Sequence, residues 1–421
     1  MSPIKILADS PLAGYHSNKC SIIKGNGMPA NFQQIQQQIR EKSKQAAALQ
    51  KQHDERLEQA RTLLSQHAAD LDLLQRKVEE AQGLAGLRCA VPLKEPLTRT
   101  HMAPAFQAGL VLLAADGSQI MPSHHDPVQF AVINTGIIRL TPGQAQVPQE
   151  SVSSRLFIFD DLQNDQGSMS DELLELIRDL SERRELVERA KNEPQPVVTL
   201  TDGPLELFRE PKEDRRFRQY FDEYLAALAA LGSMNVAVGG YVDKPRADLL
   251  VRLLELTMAG PEEMSKAVRE RKLGGVTDSL LLGHILQPGE RSALFGIQSP
   301  SADKFSQYPG GQLALRFFYL NVGQAGDPWL VRVELPEWVA RQPALVDLLH
   351  AVLLQQSRQM GSQAYPYALH RAHEIAVITH EEKEHLMNLI IAELGRQGIK
   401  VERKSYKQAA KDLKGRGRYG K

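Results

Sequence analysis

The middle of the chain alternates short apolar runs with longer amphipathic stretches. Apolar runs at residues 109–115, 128–140 and 155–161 are rich in branched and aromatic side chains, so they predict three successive strands. In residues 169–191 apolar side chains recur every three to four positions, which predicts an amphipathic helix.

Two more predicted strands follow this helix. They span residues 197–201 and 235–242, and a helix that ends at Gly232 separates them. Another helix is expected after Pro245. The predicted order is therefore β-β-β-α-β-α-β-α, in which three strands form an antiparallel meander and later strands add in parallel. The expected fold class is α/β, with a mixed sheet.

The flanking regions differ from this core in composition. Residues 1–100 form a Gln-rich extension with helical spacing, which is either a solvated arm or a dimerisation or docking helix. The main domain is assigned to residues 101–396 and ends with a hairpin (313–323 and 328–336) and further helices. Residues 397–421 form a basic tail, interpreted either as a solvated segment or as a phosphate-contacting one.

Composition and charge exclude several classes of protein. The 421 residues are 42% apolar and 24% charged, and 51 Lys and Arg balance 51 Asp and Glu, unlike a histone-like coat for polyanions. Neither a membrane-length apolar run nor a signal-peptide pattern is found. With only two cysteines as well, we expect a cytoplasmic protein that does not contact a membrane.

Two predicted strands end on an Asp-Gly pair, "LAADGSQI" with Asp116 and "VTLTDGPL" with Asp202. An isolated Asp-Gly is most often a turn. If the two strands are parallel neighbours, however, both carboxylates face one another at the sheet edge, where Mg²⁺ or Mn²⁺ would relieve their repulsion. A third acid is expected from the intervening helix, either Glu185 or Glu188.

The segment "AYPYALHRAHEIAVI" is a second candidate for chemistry. Pro366 suits a helix start, so Tyr365 is expected just before the helix and His373 about two turns along it. The alternative for His373 is a half-buried histidine satisfied by a neighbour.

Taken together, "LAADGSQI", the helix ending "RRELVERA", "VTLTDGPL" and "AYPYALHRAHEIAVI" resemble the NurA nuclease domain over residues 105–380. The resemblance implies an RNase H-like core and a manganese-dependent 5′-to-3′ DNA nuclease, with magnesium as the other candidate metal. It also implies a homodimer that works with a HerA-like hexameric ATPase in DNA-end resection. The site residues that it implies are Asp116, Asp202, Tyr365 and His373, with the helical acid at Glu185 or Glu188.

Other candidates and two rival functions complete the sequence-based predictions. Phosphate contacts are expected from Lys244, Arg316 and Arg332, although ordinary ion-paired charge is the alternative. His125, in "SHHDP", is expected at the rim of the site, and Asp278 is a further candidate. The rivals are a catalytically silent subunit that docks DNA or an ATPase, and an actin-like ATPase.

Overall fold

The computed structural model describes residues 31–164, 167–207, 215–361 and 363–401. The basic tail, apart from its first residues, lies outside these ranges. No helix in the described ranges is long and apolar enough to cross a membrane. The helices are α1 (Phe32–Ser43), α2 (Ala46–His67), α3 (Leu71–Ala81), α4 (Asp171–Ala190), α5 (Arg215–Ser233), α6 (Leu249–Thr257), α7 (Met264–Arg269), α8 (Asp278–Leu282), α9 (Pro300–Ser306), α10 (Glu337–Ala340), α11 (Pro343–Gln359), α12 (Tyr367–Ala376) and α13 (His380–Arg396).

The strands form one large mixed sheet and one two-stranded ribbon. They are β1 (Cys89–Pro92), β2 (Thr100–His101), β3 (Val111–Ile120), β4 (Phe130–Leu140), β5 (Gln149–Ile158), β6 (Gln163–Asn164), β7 (Gly167–Ser168), β8 (Val197–Asp202), β9 (Ala237–Val242), β10 (Arg291–Ser292), β11 (Phe295–Gln298), β12 (Leu315–Asn321) and β13 (Leu330–Pro336). Along the large sheet the order is β1-β11-β12-β13-β9-β8-β3-β4-β5, and β2 and β10 join its side.

This topology confirms the predicted fold class. Strands β3, β4 and β5 form an antiparallel meander, and β8 and β9, each reached through a helix, lie parallel to β3. That arrangement is the predicted mixed sheet. The predicted hairpin is also present, because β12 pairs with β13 in an antiparallel register.

Helices cover both faces of the sheet beside β3. Helix α4 begins after Ser170, whose hydroxyl accepts a hydrogen bond from the Leu173 amide, and it buries a row of leucines against β3 and β4. Helix α12 packs on the opposite face. A Cβ at Gly136 would lie 2.6 Å from the Ala372 carbonyl oxygen, so a residue without a side chain lets α12 approach β4 this closely.

Three features differ from the sequence-based expectations. The first strand does not stop near residue 115 but continues to Ile120, because β4 pairs with it along its whole length. The third strand ends at Ile158, and residues 159–162 form a 3₁₀ turn. The region before residue 101 is not only helical, since Cys89–Pro92 forms an edge strand of the large sheet paired with β11.

Candidate active site

The first Asp-Gly pair lies inside a continuous strand and is not a turn. Asp116 and Gly117 are paired with Gly136 and Thr135 of β4. A Cβ at Gly117 would lie 2.5 Å from Cγ of Arg178 and 2.8 Å from Oε1 of Glu182, so the glycine makes room for these two side chains of α4. Side chains alternate across the sheet, so Asp116 points to the other face, toward α12.

The second Asp-Gly pair ends a strand, as predicted. Asp202 is the last residue of β8, and Gly203 follows with a φ of 90°, a left-handed conformation that favours glycine. Ala115 of β3 and Thr201 of β8 are paired in parallel register, so the next residues, Asp116 and Asp202, lie side by side on one face. The two strand-borne carboxylates are therefore brought together.

Helix α12 brings the predicted histidine and tyrosine to these carboxylates. The His373 Nδ1 atom lies 2.7 Å from Asp116 Oδ2, while 62% of the histidine side chain remains exposed to solvent. Tyr365, just before α12, donates a hydrogen bond to Asp202. Its ring also packs edge-on against Tyr241, with 5.5 Å between ring centroids.

The end of α12 is fixed to the meander by polar contacts. The carbonyl oxygen of Ala376 accepts hydrogen bonds from the Asn134 amide at 2.8 Å and from the Ser118 hydroxyl. Both donors lie on the same face as Asp116, because β3 and β4 place alternate residues there. This double contact sets the position of His373 relative to Asp116.

The electrostatics of the pair favour bound cations. Withdrawal from water and the neighbouring Asp116 carboxylate raise the pKa of Asp202, and the hydrogen bond from Tyr365 only partly opposes this. Burial and the charges of Asp202 and Asp116 in turn raise the pKa of Tyr365, so its hydroxyl remains a donor. A positive charge between the two aspartates would remove the repulsion.

Glu182, and not Glu185 or Glu188, is the glutamate of α4 that the structure places beneath β3 and beside Asp202. Glu182 is buried, and burial together with the charge of Asp179 raises its pKa well above the ordinary value, with a smaller contribution from Asp116. With Asp202 it lines a cavity of about 170 Å³ below the strand ends. The sequence offered one indication of Glu182, since it lies one helical turn before Glu185 in the same predicted helix.

The helix direction explains why the other two glutamates are displaced. Helix α4 links β5 to β8, and both strands run parallel to β3. The helix therefore runs in the opposite direction to these strands, and its C-terminal end lies near the start of β8. Glu188 is exposed there and pairs with Lys191. Glu185 makes no hydrogen bond or ion pair within the described part of the chain.

The donor set fits a hard divalent cation. Asp116, Asp202 and Glu182 offer carboxylate oxygens, the ligands that Mg²⁺ and Mn²⁺ prefer, and burial together with neighbouring carboxylates raises the pKa values of Asp202 and Glu182. Within the described residues, no three His, Cys, Asp or Glu side chains are already arranged as a metal cluster.

A further carboxylate beside the pair, Asp243, was not singled out in the sequence analysis. Asp243 follows β9, and its charge contributes to the raised pKa of Asp202. Its Oδ1 atom accepts a hydrogen bond of 2.8 Å from Nε1 of Trp329. The signal was available, since "GGYVDK" is another apolar strand that ends on an acid.

Of the three predicted phosphate contacts, only Lys244 lies exposed beside the site. It follows Asp243, and its ammonium lies 5.7 Å from the centroid of the Trp329 ring. Arg332 is 4% exposed and binds Glu334 at 2.8 Å, and Arg316 is paired with Glu337. Both arginines lie on interior strands of the sheet, which explains why the ion-paired alternative holds for them.

His125 and Asp278 lie outside the group of contacting residues. His125 is exposed in the loop after β3, which continues to Ile120 before turning. Asp278 is fully buried and accepts hydrogen bonds from the amides of Leu250 and Val251 and from the Tyr319 hydroxyl. It therefore caps the start of α6, and burial raises its pKa to about 6.

Comparisons with known proteins identify the family. A crystal structure of the NurA nuclease from Sulfolobus solfataricus aligns with a TM-score of 0.44 and 14% identity over 71% of this chain and 88% of that one. LC9-RNase H1, a type 1 RNase H with the type 2 active-site motif, aligns with a TM-score of 0.21 and 13% identity over 40% and 88%. A search of curated proteins found no significant match. The family model of the NurA domain matches residues 110–378, which carry β3, β8, α4 and α12, and the chain therefore belongs to the NurA domain family.

Proposed function

We propose that this protein is a metal-dependent DNA nuclease. The observation that carries the proposal is the Asp116–Asp202 pair, side by side on adjacent parallel strands, with His373 bound to one carboxylate and Tyr365 to the other. Family membership supports a nuclease role. Manganese is the proposed metal and magnesium the second candidate, held by Asp116, Asp202 and Glu182.

In phosphodiester hydrolysis, each residue of the proposed site has its own role. A bound divalent ion would stabilise charge on the phosphate and lower the pKa of water. Asp116 accepts from Nδ1–H of His373, which leaves Nε2 of the neutral imidazole without a proton. Because the ring is largely exposed, Nε2 is available to take the proton of an attacking water. Tyr365 donates to Asp202 and so holds that carboxylate in position.

The wider setting is part of the same proposal. We propose 5′-to-3′ digestion or endonucleolytic cutting at DNA double-strand break ends in the cytoplasm, by a homodimer that cooperates with a HerA-like hexameric ATPase. The sequence contains no GxxxxGK[ST] motif, so a partner would supply ATP-driven motion. The resemblance of the site motifs to the family supports this setting.

The experiment is digestion of end-labelled DNA with manganese, magnesium or a chelator. Wild type is expected to cut with manganese and to stop in chelator, while Asp116→Ala is inactive under every condition. Labels at the 5′ and 3′ ends report polarity. No cutting by wild type with either metal, with DNA binding intact, would favour the silent docking subunit. The actin-like ATPase predicts ATP hydrolysis without DNA cleavage.

A further inference from the structure

An aromatic side chain, Trp329, lies just before the start of β13 and in line with the carboxylates of Asp116, Asp202 and Asp243. Arg332 of β13 lies opposite Val242 of β9, so the residues before it, including Trp329, run past the end of β9. Because β3, β8, β9 and β13 are neighbours in the sheet, Asp116, Asp202, Asp243 and Trp329 lie in a row that crosses these four strands. Three strand spacings separate Asp116 from Trp329, a distance of roughly 14 Å.

The Trp329 ring is held in a fixed orientation. Nε1 donates to Asp243 at 2.8 Å, and the backbone amide donates to Oδ1 of Asn321 at 3.2 Å. Gly323 packs so tightly against this turn that a Cβ there would lie 2.3 Å from the Trp329 amide nitrogen. The indole is nevertheless 37% exposed, so a rigid aromatic surface faces solvent beside the site.

A cavity of about 850 Å³ opens between this ring and the candidate active site. Tyr365 and Asp243 form its border with the carboxylate pair, and Trp329, Leu354, Ser357 and Arg358 line the remainder. Its volume is within the range of small-ligand sites. Arg358 is exposed and, within the described part of the chain, has no carboxylate partner, and the same is true of Lys244. Two uncompensated cations thus flank a cavity with an aromatic wall.

We propose that this cavity binds an unpaired nucleobase of the DNA strand, stacked on Trp329, with the adjoining phosphates contacted by Lys244 and Arg358. The proposal rests on the proposed function for the identity of the strand. Every base offers a π-face to an indole, and aromatic stacking with flanking cations is how proteins hold single strands without reading sequence. The carboxylates at the opposite end of the row then receive the phosphate to be cut.

The expected effect is selective for single-stranded DNA. Loss of a stacking platform lowers affinity by about tenfold or more. A blunt duplex offers no unpaired base, so its affinity should change little. Trp329→Phe retains a smaller stacking surface and should keep most of the affinity, which separates loss of stacking from local unfolding.

The test measures binding of a short single-stranded oligonucleotide and of a blunt duplex in an Asp116→Asn background with manganese. Trp329→Ala is compared with Trp329→Phe, and Phe32→Ala serves as the control, because Phe32 is an exposed aromatic on α1 outside the matched domain. The chain has two tryptophans, and Trp338 is buried, so quenching of intrinsic fluorescence reports on Trp329. Trp338→Phe should keep the quench and Trp329→Phe should lose it.

The outcomes separate this proposal from the nuclease proposal. Unchanged single-strand affinity in Trp329→Ala, equal losses for single strand and duplex, or a quench that persists in Trp329→Phe would each overturn the base site. If wild type cuts DNA in the same assays, the nuclease proposal survives that failure. A quench with selective loss of single-strand affinity, in a protein that cuts nothing, would support the base site alone.

Discussion

At the residue scale, the glycines of the two Asp-Gly pairs have different structural roles. Gly203 adopts a left-handed conformation in the turn after Asp202, as expected because Asp-Gly is common in turns. Gly117 instead leaves space for Arg178 and Glu182 against the middle of a strand. One Asp-Gly pair therefore places the Asp202 carboxylate at the end of β8. In the other pair, Gly117 leaves room beneath β3 for the Glu182 carboxylate of α4.

The helical acid gives the first prediction. Glu182→Gln should abolish or severely reduce manganese-dependent cleavage, because Glu182 is buried beneath β3 and lines the cavity with Asp202. Glu185→Gln, one turn further along the same helix, is the matched control and should retain near wild-type activity. Cleavage rates of end-labelled DNA measure both. Greater loss in Glu185→Gln would return the assignment to the original helical candidates.

His373 gives the second prediction. His373→Ala should lose cleavage on the order of a hundredfold or more, the scale of a missing acid or base, while manganese and DNA binding persist. His370→Ala is the control, since His370 lies near Glu374 and not at the aspartates. Comparable losses in the two variants would indicate that the histidines only support the packing of α12.

Which site residues could be predicted from sequence depends on whether backbone pairing or side-chain rotation decides their place. The side-by-side placement of Asp116 and Asp202 follows from the strand order, and that of Tyr365 and His373 beside them from the family motifs, so the proximity of these four residues could be predicted. The position of Glu182 beside Asp202 could not be predicted, because the spacing of the helical glutamates does not show which of them faces the sheet. Whether Arg316 and Arg332 are free or ion-paired could not be predicted either, because alternation along a strand does not show that the fold covers both faces.

At the element scale, helix and strand order was predictable and exact boundaries were not. The meander and the two βα units follow from apolar periodicity, because each element buries one face or both. The short pieces between β9 and β12, such as α8 and β10, have too few residues to show a period. They are fixed by long-range contacts, as in the hydrogen bonds of Asp278 to α6.

Asp278 gives a prediction at this scale. Its pKa in the folded protein, about 6, lies above the ordinary 3.8, so the protonated carboxyl favours the folded state and this contribution is lost as pH rises from about 4 through about 6. Relative to Asp278→Asn, the free energy of unfolding of wild type should fall by up to about 3 kcal/mol across that window. Chemical denaturation at several pH values measures it, and parallel pH curves for the two proteins would contradict the assignment.

At the scale of the whole molecule, the net charge is zero, so a surface that binds nucleic acid has to be a local cluster of basic residues. The balance of Lys and Arg against Asp and Glu could not reveal this surface, because most arginines of the core sheet are committed to partners such as Glu334 and Glu337. Among the described residues, few unpaired cations lie beside the site. Salt dependence should therefore be modest and traceable to single residues.

Lys244 gives the corresponding prediction. Lys244→Ala should reduce the slope of log affinity against log salt by about one, as expected for one lost phosphate contact. Arg316→Gln is the control and should leave the slope unchanged, since its guanidinium is paired with Glu337. Equilibrium binding at several salt concentrations measures both slopes. The opposite pattern would place the DNA on the hairpin face.

The central claim is that the carboxylates of Asp116 and Asp202 form one metal site, and calorimetric titration of manganese tests it most directly. Wild type and Glu188→Gln should bind manganese with the same affinity, because Glu188 is paired with Lys191 on the surface. Asp202→Asn should lose that binding event while its thermal unfolding shows an intact fold. Manganese binding of equal affinity in Asp202→Asn and wild type would contradict the account.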